Sequence, residues 1–167
     1  KIRDAVEGDH SARCAHLPPI PAHRQDEDAR VAYEARAVWY NATARTVDAL
    51  VGASHRREAV VTVPPRFAPR LDDLTNRGES FHHVAKHITR EVLTYGRYAL
   101  LVDATIGGDI TNPMDRLPFL VGYNADSICN WRHRIERGRK VLEQVVLQEE
   151  HSIPAGFGSL QETRYRV

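Results

Sequence analysis

Ser80-Phe81-His82-His83-Val84-Ala85-Lys86-His87-Ile88-Thr89-Arg90-Glu91-Val92-Leu93-Thr94-Tyr95-Gly96-Arg97-Tyr98-Ala99-Leu100-Leu101-Val102 is the stretch whose reading sets the fold class. Ser80 is a natural N-cap, because its hydroxyl can accept from an unsatisfied amide of the first turn. Phe81, Val84, Ala85, Ile88, Val92 and Tyr95 then recur at helical spacing, and Gly96 can take the left-handed conformation that ends a helix. Tyr98 to Val102 follows as a short apolar run, the pattern of a strand covered on both faces. A capped helix therefore feeds a strand.

Downstream, the signals are those of further strands. Phe119 to Tyr123 is apolar, and Ile128 to His133 sets Ile128, Asn130 and Arg132 against Cys129 and Trp131. Glu136-Arg137-Gly138 reads as a turn, and Leu142 to Gln148 as the returning strand. A loop is expected from Pro154 to Ser159, then a last strand from Thr163 to Val167. Residues Gly107 to Pro118, with two Gly and two Pro, read as a long loop. Helices first and antiparallel strands later predict an α+β fold, with long N-terminal helices followed by a mostly antiparallel sheet.

Upstream, Val31, Ala35, Val38, Trp39, Ala42, Thr46, Ala49 and Leu50 keep helical spacing from Glu27 to Gly52. The expectation is one helix of about 25 residues. Its stripe at Val31, Ala35, Val38, Ala42 and Leu50 should face the core. Tyr40 and Val47 lie off that stripe, and seven residues of separation would return them to one face, a candidate subunit interface. Residues 1–28 read as an irregular arm lying across another surface, because Pro18, Pro19 and Pro21 forbid a continuous helix. The second expected region is 29–167. Within it, Val60 to Pro64 reads as extended and Asn76-Arg77-Gly78 as a turn.

Composition narrows the function classes. The 167 residues carry 42% hydrophobic side chains, enough for a core and too many for a disordered segment. Twenty-three Lys and Arg against 22 Asp and Glu give a net charge of +1. A tight DNA binder usually shows a basic excess, whereas a conduit past which DNA slides needs none. Cys14 and Cys129 make no disulfide framework and read as reduced thiols. No apolar run approaches the roughly 20 residues of a membrane span.

Single motifs give no catalytic residue, metal site or cofactor. His83, His87 and Glu91 have the spacing of metal ligands on one helix face, but they fall on the polar side of the expected stripe and lack the zincin pattern. Gly107-Gly108-Asp109 follows a strand without the Lys-Ser or Lys-Thr pair of a phosphate loop. Asn41-Ala42-Thr43 matches a glycosylation sequon, here inside the expected helix. Arg132, Arg134, Arg137, Arg139 and Lys140 cluster in one hairpin and are candidates for touching DNA or an acidic partner. Their plain alternative is a solvated hairpin whose charges guard an exposed edge.

Several segments in order carry a resemblance. They are Ala37-Val38-Trp39-Tyr40-Asn41-Ala42-Thr43-Ala44-Arg45-Thr46-Val47-Asp48-Ala49-Leu50-Val51-Gly52, then Arg90 to Asp103, then Ala125 to Arg132, then Val145 to Glu149, with Ile2 to Ala5 and Leu17-Pro18 before them. Together they resemble a family of phage portal-like proteins, over nearly the whole chain. Ser54 and His55 depart from the family, which often has a larger apolar residue after the helix-ending Gly. The resemblance implies a wing-side N-terminal portion, with stem, clip and crown beyond Val167. It implies a structural, non-enzymatic subunit of a homo-oligomeric ring, commonly a dodecamer, at one vertex of the virion capsid, assembled in the bacterial host cytoplasm. Its partners would be the terminase motor, scaffold and capsid, head-completion proteins, and double-stranded DNA passing non-specifically through the channel, with no membrane. Two other readings stay open. One is a metal-dependent enzyme of phage DNA processing, using His83, His87 and Glu91. The other is a different head or tail adaptor ring.

Overall fold

The computed structural model describes residues 2–8, 14–18, 20, 26–105 and 117–167. It divides into two compact units, Lys1–Glu58 and Ala59–Val167. Pro19, Pro21 and Gly107-Gly108-Asp109 lie outside the described residues.

The first unit is helical, and it corrects two expectations. The arm is not irregular throughout: α1 spans Ile2–Glu7, and a single helical turn follows at 14–16. Nor is there one long helix. α2 spans Glu27–Arg36, capped by the Asp26 side chain, and α3 spans Ala42–Ser54. The break has a local and a distant cause. Asn41 caps α3 by accepting from the Ala44 amide at 2.8 Å, and its own amide donates to the Val6 carbonyl at 2.6 Å. Both bonds depend on leaving helical geometry at this point. Trp39 lies against Gly8, where a Cβ would sit 2.7 Å from the indole nitrogen, so only glycine admits that packing. α1 and α3 are in contact.

The helix faces are also reversed. Val47 and Val51 are buried, at 7% and 3% exposure, whereas Val31, Val38 and Leu50 of the expected core stripe are exposed. Five non-helical residues between α2 and α3 reset the phase, so one periodicity cannot be carried across both. Gly52 lies inside α3, which ends at Ser54 with His55 as its cap.

In the second unit a 3-10 helix at Pro65–Leu71, which the sequence reading did not anticipate, leads into the turn at Asn76 and Gly78, both with positive φ. Buried Arg70 fixes this loop by donating to the carbonyls of Asp73 and Leu117 and to the Asn76 side chain. Helix α4 spans Phe81–Tyr95. Ser80 accepts from the His83 amide, and Gly96, at φ 79°, closes the helix through its bond to the Val92 carbonyl. Strands β1 (Ala99–Asp103) and β2 (Phe119–Tyr123) pair antiparallel. Gly122 lets them close, because the Tyr98 hydroxyl occupies the place of its missing Cβ.

Strands β3 (Ile128–Glu136), β4 (Arg139–Ala155) and β5 (Gly158–Arg166) form the second antiparallel sheet. The mixed helical and antiparallel architecture agrees with the α+β class; no long N-terminal helix is found among the described residues. Register gives this sheet an unusual form. β3 pairs only with residues 139–147 of β4, and β5 only with residues 147–155. The two neighbours overlap only at buried Leu147. The sheet is thus two ribbons sharing one strand, and they leave Leu147 in opposite directions. Arg137 and Gly138, both at positive φ, form the first two-residue tip; Gly156 and Phe157 form the second. The expected Pro154–Ser159 loop is therefore mostly strand. Pro154 is tolerated because this half of β4 pairs on one side only, leaving an edge where no donor is needed.

Candidate functional site

The basic cluster lies along the β3–β4 ribbon. Cross-strand partners share a face, so Trp131, His133 and Ile135 lie with Lys140, Leu142 and Val145, while Arg132, Arg134 and Arg139 lie on the other face. Two of the cations are engaged: Arg132 pairs with Glu143 at 3.0 Å and Arg134 with Glu136 at 3.2 Å. Among the described residues no ion pair holds Arg137, Arg139 or Lys140, which crowd the tip. At the ribbon base Arg97 donates to the Ala125 carbonyl at 3.2 Å and lies 5.1 Å over the Trp131 ring. This anchors the first half of the ribbon and leaves the outer half bare, with Ile135 76% and Leu142 55% exposed.

Tyr40 and Val47 are not brought together. Val47 is buried within the single chain, and Tyr40 is 73% exposed in the link before α3 with Arg45 over its ring at 5.0 Å. The shared-face argument fails at the helix break. Asn41 of the sequon is a helix cap whose amide is already engaged.

His83 and His87 also diverge. His83 approaches Glu79 at 3.8 Å, while the His87 ring meets the Tyr98 ring edge-on at 5.5 Å between centroids. His87 is thus turned toward Tyr98, not onto a purely solvated face. Among the described residues no group of three possible ligands is assembled, with Glu91 or otherwise. His87 and Tyr98 line a cavity of about 250 Å³ with Arg77 and Glu79 over an apolar floor of Val84 and Leu100. Burial, and then the charges of Glu91 and Glu79, push the Tyr98 phenol up.

Sequence reasoning missed one constellation at the ribbon junction. Tyr123 at the end of β2 donates to Glu149 on β4. Arg166 on β5 reaches Glu149 at 3.0 Å and Asp103 on β1 at 2.8 Å, and His151 lies 3.3 Å from Glu149. Four strands are tied through one carboxylate and one guanidinium. Burial, then the hydrogen bond to Glu149, pushes the Tyr123 phenol up to about 12. The same Tyr123 bond leads in holding Glu149 below the ordinary carboxylate value, and Arg166 does so for Asp103. Apart from His151, which neighbours Glu149 on β4, the linked pairs are 17 to 63 positions apart in sequence, so only alternation along β4 hinted at a shared face, and nothing hinted at the partners. A shallow cavity of about 340 Å³ opens beside them, reaching Ser127 and Arg77. Chemically the arrangement ties the base of the β4–β5 ribbon to the β1–β2 pair.

No family model matches the chain, and comparison with curated proteins finds no match.

Proposed function

We propose that this chain is a structural subunit of a phage portal ring, the head-tail connector through which DNA is packaged and ejected. The reading rests on the ordered resemblance of four segments to portal-like proteins. One observation supports it most: three of those segments hold buried apolar residues. Of six buried apolar residues among the described ones, Val47, Val51, Ala125 and Leu147 fall inside them.

On this reading the ring is homo-oligomeric, commonly of twelve subunits, and sits at one capsid vertex. Its partners are the terminase motor, scaffold, head-completion proteins and transiting DNA. On the β3–β4 ribbon Arg132 and Arg134 are already held by carboxylates and add little to phosphate affinity, which leaves Arg137, Arg139 and Lys140 at the tip for non-specific contact with DNA. The metal-enzyme alternative has no such support, since His83 and His87 turn to different neighbours. Negative-stain images of the purified gene product are expected to show rings with a central hole. Particles that remain single subunits at micromolar concentration would refute the proposal.

A further inference from the structure

We infer that the tip of the β3–β4 ribbon enters the major groove of duplex DNA end-on, with Arg139 and Lys140 reaching phosphates on opposite rims. This deepens the DNA contact of the proposed function and rests on that reading only for the presence of DNA.

Charge is concentrated where the chain projects. The β3–β4 ribbon carries Arg132, Arg134, Arg137, Arg139 and Lys140 against Glu136 and Glu143, a net charge of +3 in a chain whose total is +1. Everything outside the ribbon therefore sums to −2. Every residue from Cys129 to Glu143 is exposed. The anchor of Arg97 over Trp131 lies roughly 17 Å below the tip, at about 3.3 Å per residue.

The distribution of that charge selects the partner. Glu136 pairs with Arg139 and Ile135 with Lys140, so Arg139 and Lys140 stand on opposite faces, with Arg137 between them in the left-handed turn at the apex. Glu136 shares the face of Arg139, but Arg134 on that face already holds it at 3.2 Å. Glu143 is held in the same way by Arg132 at 3.0 Å. Each face of the tip therefore presents one net cation, and the apex a third. A flat acidic protein surface engages one face of a ribbon at a time. Cations on both faces and the apex match a cleft with anions on both walls.

The dimensions point to the major groove of B-form DNA. A two-stranded ribbon with side chains on both faces is about 10 Å thick. The major groove is about 12 Å wide and admits such a ribbon, whereas the minor groove, about 6 Å wide, does not. Its depth of about 8.5 Å is well within the free length of the arm. Arg137 then faces the floor, where every base pair offers a purine N7 acceptor, so the contact tolerates any sequence. Duplex RNA is a poor substitute, because its major groove is deep and narrow.

The test is fluorescence anisotropy of a labelled DNA duplex of about 20 base pairs titrated with the full chain. At about 20 mM salt binding should be micromolar, with a log–log salt slope near −2, since each rim contact contributes about −0.9. Arg139→Gln and Lys140→Gln should each weaken binding at least threefold and remove about half of that slope. Arg137→Asn, which keeps the left-handed turn, should weaken binding with little change in slope. The triple variant should lose binding. Arg56→Gln with Arg57→Gln and Lys86→Gln removes as much charge elsewhere and should bind within twofold of wild type. Circular dichroism checks that each variant is folded. Duplex RNA and single-stranded DNA should bind at least fivefold more weakly. Absence of binding at about 200 µM chain, a triple variant that binds like wild type, or a loss confined to one face overturns the inference. Equal binding of duplex RNA or single strands does so too, and equal binding of poly-glutamate makes the partner an acidic protein instead. Rings in electron micrographs without tip-dependent binding would refute this contact alone. Tip-dependent binding by a chain that never forms rings would refute the portal reading alone.

Discussion

The two units answer differently to the same local signals. In Ala59–Val167, Ser80 and Gly96 bound α4 where their chemistry places them. In Lys1–Glu58, an equally regular apolar pattern is cut at Ala37, and its faces are exchanged. The difference lies in what each segment must satisfy. α4 is closed at both ends by its own flanking residues. α2 and α3 are separated because Asn41 binds α1 at Val6 and Trp39 packs on Gly8 just after it, 35 and 31 residues earlier, and those contacts outweigh a few helical bonds. Periodicity therefore predicts a helix only while no side chain within it has a better use outside it.

The largest expected effect tests the exchanged faces. Val47→Glu should destabilise the chain by about 3 kcal/mol or more, because it buries an unpaired carboxylate. Val38→Glu, at a residue 91% exposed, should stay within about 0.5 kcal/mol. Urea unfolding of both variants measures the contrast. Equal effects would restore the single-stripe reading.

Asn41→Ala comes next, at about 2 kcal/mol: roughly one for the cap and one for the long-range bond to Val6. Asn41→Asp separates the two, since its carboxylate still caps α3 but cannot donate to a carbonyl. If aspartate matches wild type, the link to α1 contributes nothing to the break.

Gly96→Ala probes the unit where local chemistry prevails. Forcing a Cβ into the left-handed region should cost about 1 kcal/mol, with no change elsewhere, because nothing lies near that position. A thermal melt suffices, and a loss several times larger would show that α4 also depends on distant contacts.

The smallest effect is spectroscopic and concerns the junction. Tyr123 should ionise near pH 12, against an ordinary value of 10.0, read by phenolate absorbance. Because the folded value is raised, the stabilisation is complete below pH 10 and is lost as pH rises toward 12. Glu149 behaves oppositely: its value is lowered, so its contribution is present above about 4.5 and disappears as pH falls through the folded value. Tyr123→Phe should remove the late alkaline step. If that step persists, another phenol carries it.

Sequence alone determined what is local. It located the capped helix at Ser80 and Gly96, the turn at Asn76 to Gly78, the alternation that begins β3 at Ile128, and the concentration of cations around Arg137. Each follows from a few adjacent residues whose conformational preferences and hydrogen-bonding groups need no distant partner. Only the tertiary structure decided the rest. It broke the helix expected from Glu27 to Gly52, buried Val47 in place of Val38, and carried β4 through Pro154 on an open edge. It also gathered Asp103, Tyr123, Glu149 and Arg166 at one junction and split a three-stranded sheet into two opposed ribbons at Leu147. The reason is physical. A hydrogen bond between residues 35 or 63 apart depends on where the chain returns, and β pairing shifted by one residue turns every side chain to the other face.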